Sequence, residues 1–394
     1  MSRAFKLTSW NVEWLVDSFG VVSGRFEENS KGFAGRRPSM ADARAKLDAL
    51  RLEVLEMDAD ILFLVEGVPG AEAMQEFVDT YLKEYRLIRH PGTDDRAYGT
   101  EGHQWMWFLV KPALADGRNV HLLDLSVWKS YTQDASFGSH SNGKWFFSAP
   151  SLDEETETVG ANIRHKHDHY RHPQVLVMTY EGRRVEIVGC HFKSKHIGEN
   201  VPTRKASESN EAYFARPDVT WFMAKAHVAR AKLTTEASDV RYYIDKRFAQ
   251  EEIPIIFVIG DLNDGPGKEL LEREYLLHDL IGVLQGDVFF ARKFLNHALF
   301  DYPQDLRWTA RFEDKLDPTR APTILLDHIT FTEALSRRGL GPLIVQPRSG
   351  VVEHEIHDRI NATLPEKAKT SDHAPVSLVV SNHETNPKPR SPRK

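Results

Sequence analysis

The sequence predicts one mixed α/β domain over residues 1–381, and three observations carry that expectation. Short apolar runs of strand type are interspersed with stretches whose apolar residues recur at helical spacing. The two kinds are mixed throughout, as in an α/β fold. No internal repeat and no break in composition separates two cores. Segments near 17–38, 128–172 and 196–250 break the rhythm and are expected to be insertions. Residues 382–394, rich in proline and basic side chains, are expected to form a disordered tail.

Taken in order, Phe5–Asn11 alternates apolar and polar residues and reads as a strand. Residues 17–38 are rich in Gly, Ser, Arg and Asn and read as a loop. Ser39 and Asp42 have capping-box spacing, and Ala43, Leu47, Leu50, Val54 and Met57 follow at helical intervals. Asp60–Val65 is a buried-type strand with Glu66 directly after it. The spacing predicts a helix over 71–83 and a strand over 105–110, stopped by Lys111-Pro112. Residues 128–172 carry many aromatics, a strand-like stretch near 144–148 and a histidine-rich run from His165 to His172, read as a solvated loop. Val175–Tyr180 and Arg184–His191 form a strand pair around Glu181-Gly182. A polar loop over 196–219 precedes a long helical stripe from Phe222 to Ile244. Ile255–Gly260 is a buried strand closed by Asp261-Leu262-Asn263-Asp264. Strand-like stretches recur at 307–312 and 323–331, and Ser371-Asp372-His373 is a turn feeding a last strand to Val380.

Composition narrows the function classes. At 394 residues, 41% hydrophobic and 27% charged, the chain is of soluble globular type. No apolar run is long enough to span a bilayer, and no signal peptide is read at the N-terminus. The single Cys190 excludes an intrachain disulfide framework. A cytoplasmic location is expected. A net charge of −6 excludes a uniformly basic nucleic-acid coat but not a local basic groove.

Chemistry-bearing residues collect at predicted strand ends: Asn11, Glu66, His191, Asp261 with Asn263, Asp327, and Asp372 with His373. Rigid strands ending in loops are where functional groups converge. Singly, each has an ordinary structural explanation: a polar turn, a strand cap, a semi-buried histidine. Asp327, set in an apolar strand, is the least comfortable of them, because a buried charge needs a partner. Hard oxygen donors suit Mg²⁺, or Mn²⁺, better than zinc. Histidines beside carboxylates suit acid–base work, and together the set describes metal-assisted phosphoester hydrolysis.

In this order, Ser9-Trp10-Asn11, Val65-Glu66, Cys190-His191-Phe192-Lys193-Ser194-Lys195, Gly260-Asp261-Leu262-Asn263, Leu326-Asp327-His328-Ile329 and Ser371-Asp372-His373 resemble the endonuclease/exonuclease/phosphatase superfamily. The form of these motifs is most similar to a bacterial nuclease branch that includes secreted enzymes. The resemblance implies a four-layer α/β sandwich, two mixed β-sheets packed face to face with helices on the outside. It implies Glu66 as principal metal ligand with Asn11 nearby and Asp372 as a second metal-side carboxylate. It implies Asp261 for activating water, Asn263 for positioning phosphate or water, His373 oriented by Asp327, and His191 on the other side of the phosphate. Glu13 is a candidate near the metal and Arg171 a phosphate or loop anchor. Two departures stand out: Val65 replaces the usual Gln, and Gln104 falls where the deoxyribonuclease branch pairs a Glu with the first histidine. Lys193 and Lys195, with Arg204 and Lys205, form either a phosphate-facing ridge or a solvated charge run. Trp128, Tyr131, Phe137, Trp145 and Phe146 either stack bases or form the core of an inserted hairpin. The implied function is a Mg²⁺-dependent phosphodiesterase, a nuclease acting on DNA or RNA. The alternative on the same scaffold is a phosphatase or phospholipase-like hydrolase of a small or lipid phosphoester.

Overall fold

Strand alternation decides which residues of this chain face inward. The computed structural model describes residues 2–383 apart from 27, 36, 91–101 and 133–143. The first elements are β1 (Arg3–Asn11), α1 (Leu15–Ser23), α2 (Met40–Met57), β2 (Ile61–Gly67), α3 (Ala71–Tyr81), β3 (Arg86–Ile88), β4 (Trp105–Val110), α4 (Pro112–Ala115) and β5 (His121–Leu122). The middle of the chain forms α5 (Leu125–Thr132), β6 (Lys144–Asp153), β7 (Thr158–Asp168), β8 (Gln174–Tyr180), β9 (Arg183–His191), α6 (Asn210–Phe214), α7 (Pro217–Gln250) and β10 (Ile255–Asp261). Then come α8 (Leu280–Gln285), β11 (Asn296–His297), β12 (Ala310–Arg311), β13 (Thr323–Ile324), β14 (Asp327–Phe331), β15 (Leu343–Val345), β16 (Val351–Val352), α9 (His354–Asn361) and β17 (Val376–Asn382).

One sheet runs β15-β17-β1-β2-β4-β3, with β16 also on β17; the other runs β11-β14-β10-β9-β8-β5. Each is mixed: β1 and β2 are parallel in the first, β9 and β10 in the second, and the other pairings are antiparallel. Odd-numbered residues Phe5, Leu7, Ile61, Phe63 and Val65 of the first sheet meet Val185, Ile187, Ile255, Phe257, Ile259 and Ile329 of the second in one core. Even-numbered Trp10, Leu62 and Leu64 face α1, α2 and α3, while Val188, Cys190, Ile256 and Val258 face Leu233, Val240 and Ile244 of α7. The architecture is therefore helices, sheet, sheet, helices, the four-layer α/β sandwich. Burying each large apolar side chain here contributes about 1.5–3 kcal/mol. Two glycines permit the close fit. A Cβ at Gly189 would lie 2.4 Å from the Phe63 ring of the facing sheet, and one at Gly260 (φ +130°) would lie 1.9 Å from the Cys190 carbonyl oxygen.

Several local expectations need correction. Residues 15–23 are helical, not loop, because Leu15, Val16 and Phe19 are buried on one side, and Gly24 in the left-handed region ends the helix. The first half of the histidine run is strand: β7, which pairs with β6, takes in His165 to Asp168, and His167 and the following His169 dock on Glu236 and Asp239 of α7 at 2.8 and 3.0 Å. Alternating histidines face the helix where apolar residues would normally do so. Trp128 and Tyr131 belong to α5, not to the hairpin, and Trp128 stacks on Tyr243 of α7 at 4.2 Å. Phe146 is not core. Its ring is 45% exposed and lies under the Arg164 guanidinium at 3.7 Å. The strand expected over 307–312 contracts to β12, and 323–331 divides into β13 and β14. Phe137 lies outside the described residues, as does the expected tail from 384 onward.

Buried neutral histidines predict an acid limb for stability. Burial, then the neighbouring His169, holds His172 down at about 3, and burial also holds His297 and His328 below the ordinary range. A histidine in the unfolded chain titrates near 6.5. Below that pH the unfolded chain binds protons that the native state refuses, so stability is full above about 6.5 and falls as pH drops. His169 runs the other way. Burial is outweighed by Asp239, its pKa is raised, and its contribution is lost only as pH rises. Unfolding free energies measured between about pH 6 and about pH 5 should fall with a slope that His172→Asn makes shallower by about one proton. Parallel slopes for the two proteins would show that His172 is not held neutral.

Candidate active site

The alternation that builds the inter-sheet core also builds the site. Asn11 ends β1, His191 ends β9, Asp261 ends β10 and Asp327 begins β14. All four continue odd-numbered, core-facing rows, so the apolar core gives way to polar groups at one edge of the sandwich. Asp261 stands in register between His191 and Asp327, and Asn11 stands beside Val65.

Glu66 does not follow the alternation. Val65 points into the core, so an extended Glu66 would face the helices. Its φ of 61° and a register shift between Leu64 and Gly67 turn it instead toward the cleft. Glu13, Trp14 and Asn263 also have positive φ, at 46°, 47° and 53°. Each such backbone costs about 1–3 kcal/mol and persists only where its surroundings hold it, most often at functional sites. Here the Trp14 N–H donates to Glu66 Oε2 at 2.9 Å, and the Asn263 N–H donates to Asp261 Oδ1 at 2.9 Å.

Hydrogen bonds join these groups into one constellation. The Asn11 amide donates to Asp261 Oδ2 at 3.0 Å and to Glu66 Oε1 at 3.3 Å, while its oxygen accepts the Glu13 N–H. The Asn263 amide donates to the Phe192 carbonyl. His373 Nδ1 lies 2.7 Å from Asp327 Oδ2, which fixes the ring and its charge. Ser371 Oγ donates to the Asn11 carbonyl and accepts the His373 N–H, tying that loop to β1. Trp10 Nε1 donates to the His373 carbonyl from the other face of the strand.

The environment drives the two histidines apart. Burial lowers the His373 pKa, but Asp327, Asp261 and Asp372 outweigh it and hold the ring well above the ordinary range. His191 is held well below it by burial and by the nearby Arg171 and His373. Its Nδ1 has no hydrogen-bond partner among the described residues, and Nε2 stays 3.8 Å from Asp261. Burial and the like charge of Asp327 push the Asp261 carboxyl up to about 7. The surroundings thus favour the charged form of His373 and the neutral form of His191, and they raise the carboxyl between them.

A cleft of about 730 Å³ exposes the constellation, and Asn11, Glu13, Glu66, Gln104, Arg171, His191, Lys193, Asp261, Asn263, Asp372 and His373 border it. Asp327 sits fully buried behind His373. Gln104 bonds Arg171 at 2.8 Å, not His191. The buried Arg171 spends its other donors on the carbonyls of His191 and Phe192, so it anchors the end of β9. Lys195 turns inward. Its Nζ pairs with Glu272 at 2.9 Å, because a buried carboxylate there needs a cation. Arg204 and Lys205 lie away from this cleft, so no ridge of four cations forms. Lys46 was missed, because on α2 it looks like one charged residue among many. It is buried, donates to the Glu13 carbonyl at 2.8 Å and lies 3.5 Å from the Glu13 carboxylate. Tyr170 and Lys232, also unforeseen, border the same cleft.

The donor set fits a hard divalent cation. Glu66, Asp372 and Glu13 offer only oxygen. After burial and the opposing Lys46, Asp372 and Glu66 both raise the Glu13 pKa, as crowded like charges do. A different trio, Asp261, Asp327 and His373, brings ligand atoms within 4.8 Å of one another, but the bond between His373 and Asp327 already occupies two of them.

No curated protein matches the chain. Among solved structures, TDP2 from C. elegans superposes with a TM-score of 0.47 at 13% identity, over 95% of this chain and 74% of that one. An endonuclease/exonuclease/phosphatase from Bacteroides vulgatus gives 0.44 at 11% identity, over 96% and 99% of the two chains. The human Nocturnin catalytic domain with bound sulfate gives 0.41 at 14% identity, over 97% and 96%. The Endonuclease/Exonuclease/phosphatase family model matches residues 8–373, a span that contains every strand-end residue of the site. The chain belongs to the endonuclease/exonuclease/phosphatase family of phosphoester hydrolases.

Proposed function

We propose that this chain is a divalent-metal-dependent phosphodiesterase that hydrolyses nucleic acid, DNA or RNA, by in-line attack of water. One observation carries the proposal. Asp261, its carboxyl pushed up to about 7, stands in register between neutral His191 and the Asp327–His373 pair at the floor of an open cleft. Asp261 takes the proton of the attacking water, and a carboxyl with a pKa near the working pH suits that task. Asn263, fixed through the Phe192 carbonyl, orients water or phosphate. His373, held as a cation by Asp327, donates Nε2–H to a phosphate oxygen and offsets developing charge. Neutral His191 gives the phosphate a hydrogen bond from the opposite side. Glu66, with Asp372 and Glu13, would hold Mg²⁺ or Mn²⁺, and Asn11 would keep Glu66 and Asp261 in place. When bound, the cation supplies Lewis-acid stabilisation of the phosphoryl oxygens.

The decisive test is a substrate panel of plasmid DNA, RNA, lipid phosphates and sugar phosphates, with Mg²⁺ and with EDTA. Nicking of nucleic acid that EDTA abolishes is the expected result. His373→Gln should cut the rate by about 10²–10³-fold, the usual loss for one transition-state donor. Turnover of phosphomonoesters or lipid phosphates alone would overturn the nuclease assignment and leave the alternative hydrolase on the same scaffold.

A further inference from the structure

A second cavity, of about 230 Å³, opens beside the catalytic cleft. Asn263 and Leu326 border both, so the two form one continuous recess next to the reacting phosphate. Its own walls are apolar, with Phe222 of α7, Leu271 and Leu316 prominent. The cations at its edge are already committed: Lys195 and Arg230 both pair with Glu272, at 2.9 and 3.2 Å. Asp314 accepts the backbone N–H groups of Leu270 and Leu316. Glu269 differs. It lines the cavity, is half-buried, and no hydrogen bond or ion pair joins its carboxylate to another described residue.

A largely apolar recess with a few placed polar groups is the usual form of a small-molecule subsite, and here His196 lines the recess beside Glu269. The volume is below the ≈ 300–1,000 Å³ of pockets that enclose a whole drug-sized ligand, so it suits one ring system. We infer that this recess receives the nucleobase adjoining the scissile phosphate, and that Glu269 reads its pairing edge in favour of guanine. A carboxylate is an acceptor only. Guanine alone among the common bases offers two adjacent N–H donors on that edge. Adenine and cytosine set a lone pair beside their donor, and uracil and thymine flank theirs with two oxygens. The inference rests on the nuclease proposal above and adds base selection to it.

Two measurements on the full chain separate the claims. Equilibrium binding of GMP, AMP, CMP and UMP, without turnover, should favour GMP by about ten- to a hundredfold, the value of a good bidentate contact. Glu269→Gln offers a donor and an acceptor and should abolish the GMP preference or transfer it to AMP. Leu316→Trp, which fills the recess from a partly exposed position, should flatten the preference. Both variants should melt with the wild type. Sequencing the cleavage ends of a random oligonucleotide pool should show guanine enriched at one position beside the cut. Equal binding of all four nucleotides, or a preference unchanged in Glu269→Gln, overturns the inference. Cleavage with uniform ends overturns it too but leaves the nuclease proposal standing. A GMP preference in a protein that cleaves no nucleic acid supports the recess and overturns the nuclease proposal.

Discussion

Asp261→Asn should lower the rate of diester hydrolysis by about 10³-fold while leaving the protein as stable as the wild type, or more so. The rate falls because an amide cannot take the proton from water, and general-base contributions run to about 10²–10⁴-fold. The fold survives because Asn keeps an oxygen for the Asn263 N–H, which Asp261 Oδ1 now accepts at 2.9 Å. Stability can rise because the wild-type carboxylate is fully buried and faces the like charge of Asp327, a cost the amide does not carry. Relief of such functional strain is commonly worth about 0.5–2 kcal/mol. One acceptor is lost, that for the Asn11 amide at 3.0 Å, and this offsets part of the gain. Single-turnover rates and chemical denaturation decide the matter. More than a tenth of the wild-type rate would rule out Asp261 as the water-activating group. Joint loss of rate and of several kcal/mol would show that Asp261 holds the site together and does not act in it.

What was legible in the sequence followed the period of the strand. Asp261 continues the row Ile255, Phe257, Ile259, and Asn11 continues Phe5, Leu7, so a reader of alternation places both on one face and at one edge. The buried Asp327 was legible for a different reason, since a charge in an apolar strand demands a partner, and His373 supplies it. What failed was local. Alternation sends Glu66 toward the helices, and only its left-handed backbone returns it to the cleft. Nothing in Val65-Glu66-Gly67 announces that turn. The histidine run hid as a loop because its period-two pattern is polar, and the face it presents meets carboxylates on α7. Lys195 hid because its partner Glu272 is 77 residues away in sequence. Partners at such separations are set by tertiary packing, which a local pattern does not encode.

Glu66→Gln tests the metal side with the least disturbance. The amide keeps one oxygen, enough for the Trp14 N–H that Glu66 Oε2 now accepts, so the strained turn at Glu13 and Trp14 should persist. What disappears is one negative charge where Glu13 and Asp372 also gather, and with it the acceptor that Glu66 Oε1 offers the Asn11 amide at 3.3 Å. Hard cations hold to carboxylates, so the apparent Mg²⁺ requirement should rise. Turnover at fixed Mg²⁺ should fall by about 10³-fold, the equivalent of the several kcal/mol a bound cation supplies. Raising Mg²⁺ should recover part of that loss. Glu66→Gly separates charge from backbone. It relieves the positive φ, a gain of about 1 kcal/mol, but leaves the Trp14 N–H without its acceptor, a loss of similar size. Its melting point should therefore stay near that of the wild type, while excess Mg²⁺ recovers much less of its activity than in Glu66→Gln. The measurement is a Mg²⁺ titration of the cleavage rate for each variant beside its thermal unfolding curve. A wild-type Mg²⁺ dependence in Glu66→Gln would remove Glu66 from the metal site. The cation would then belong with Asp261, whose carboxylate lies among ligand atoms of Asp327 and His373 all within 4.8 Å of one another.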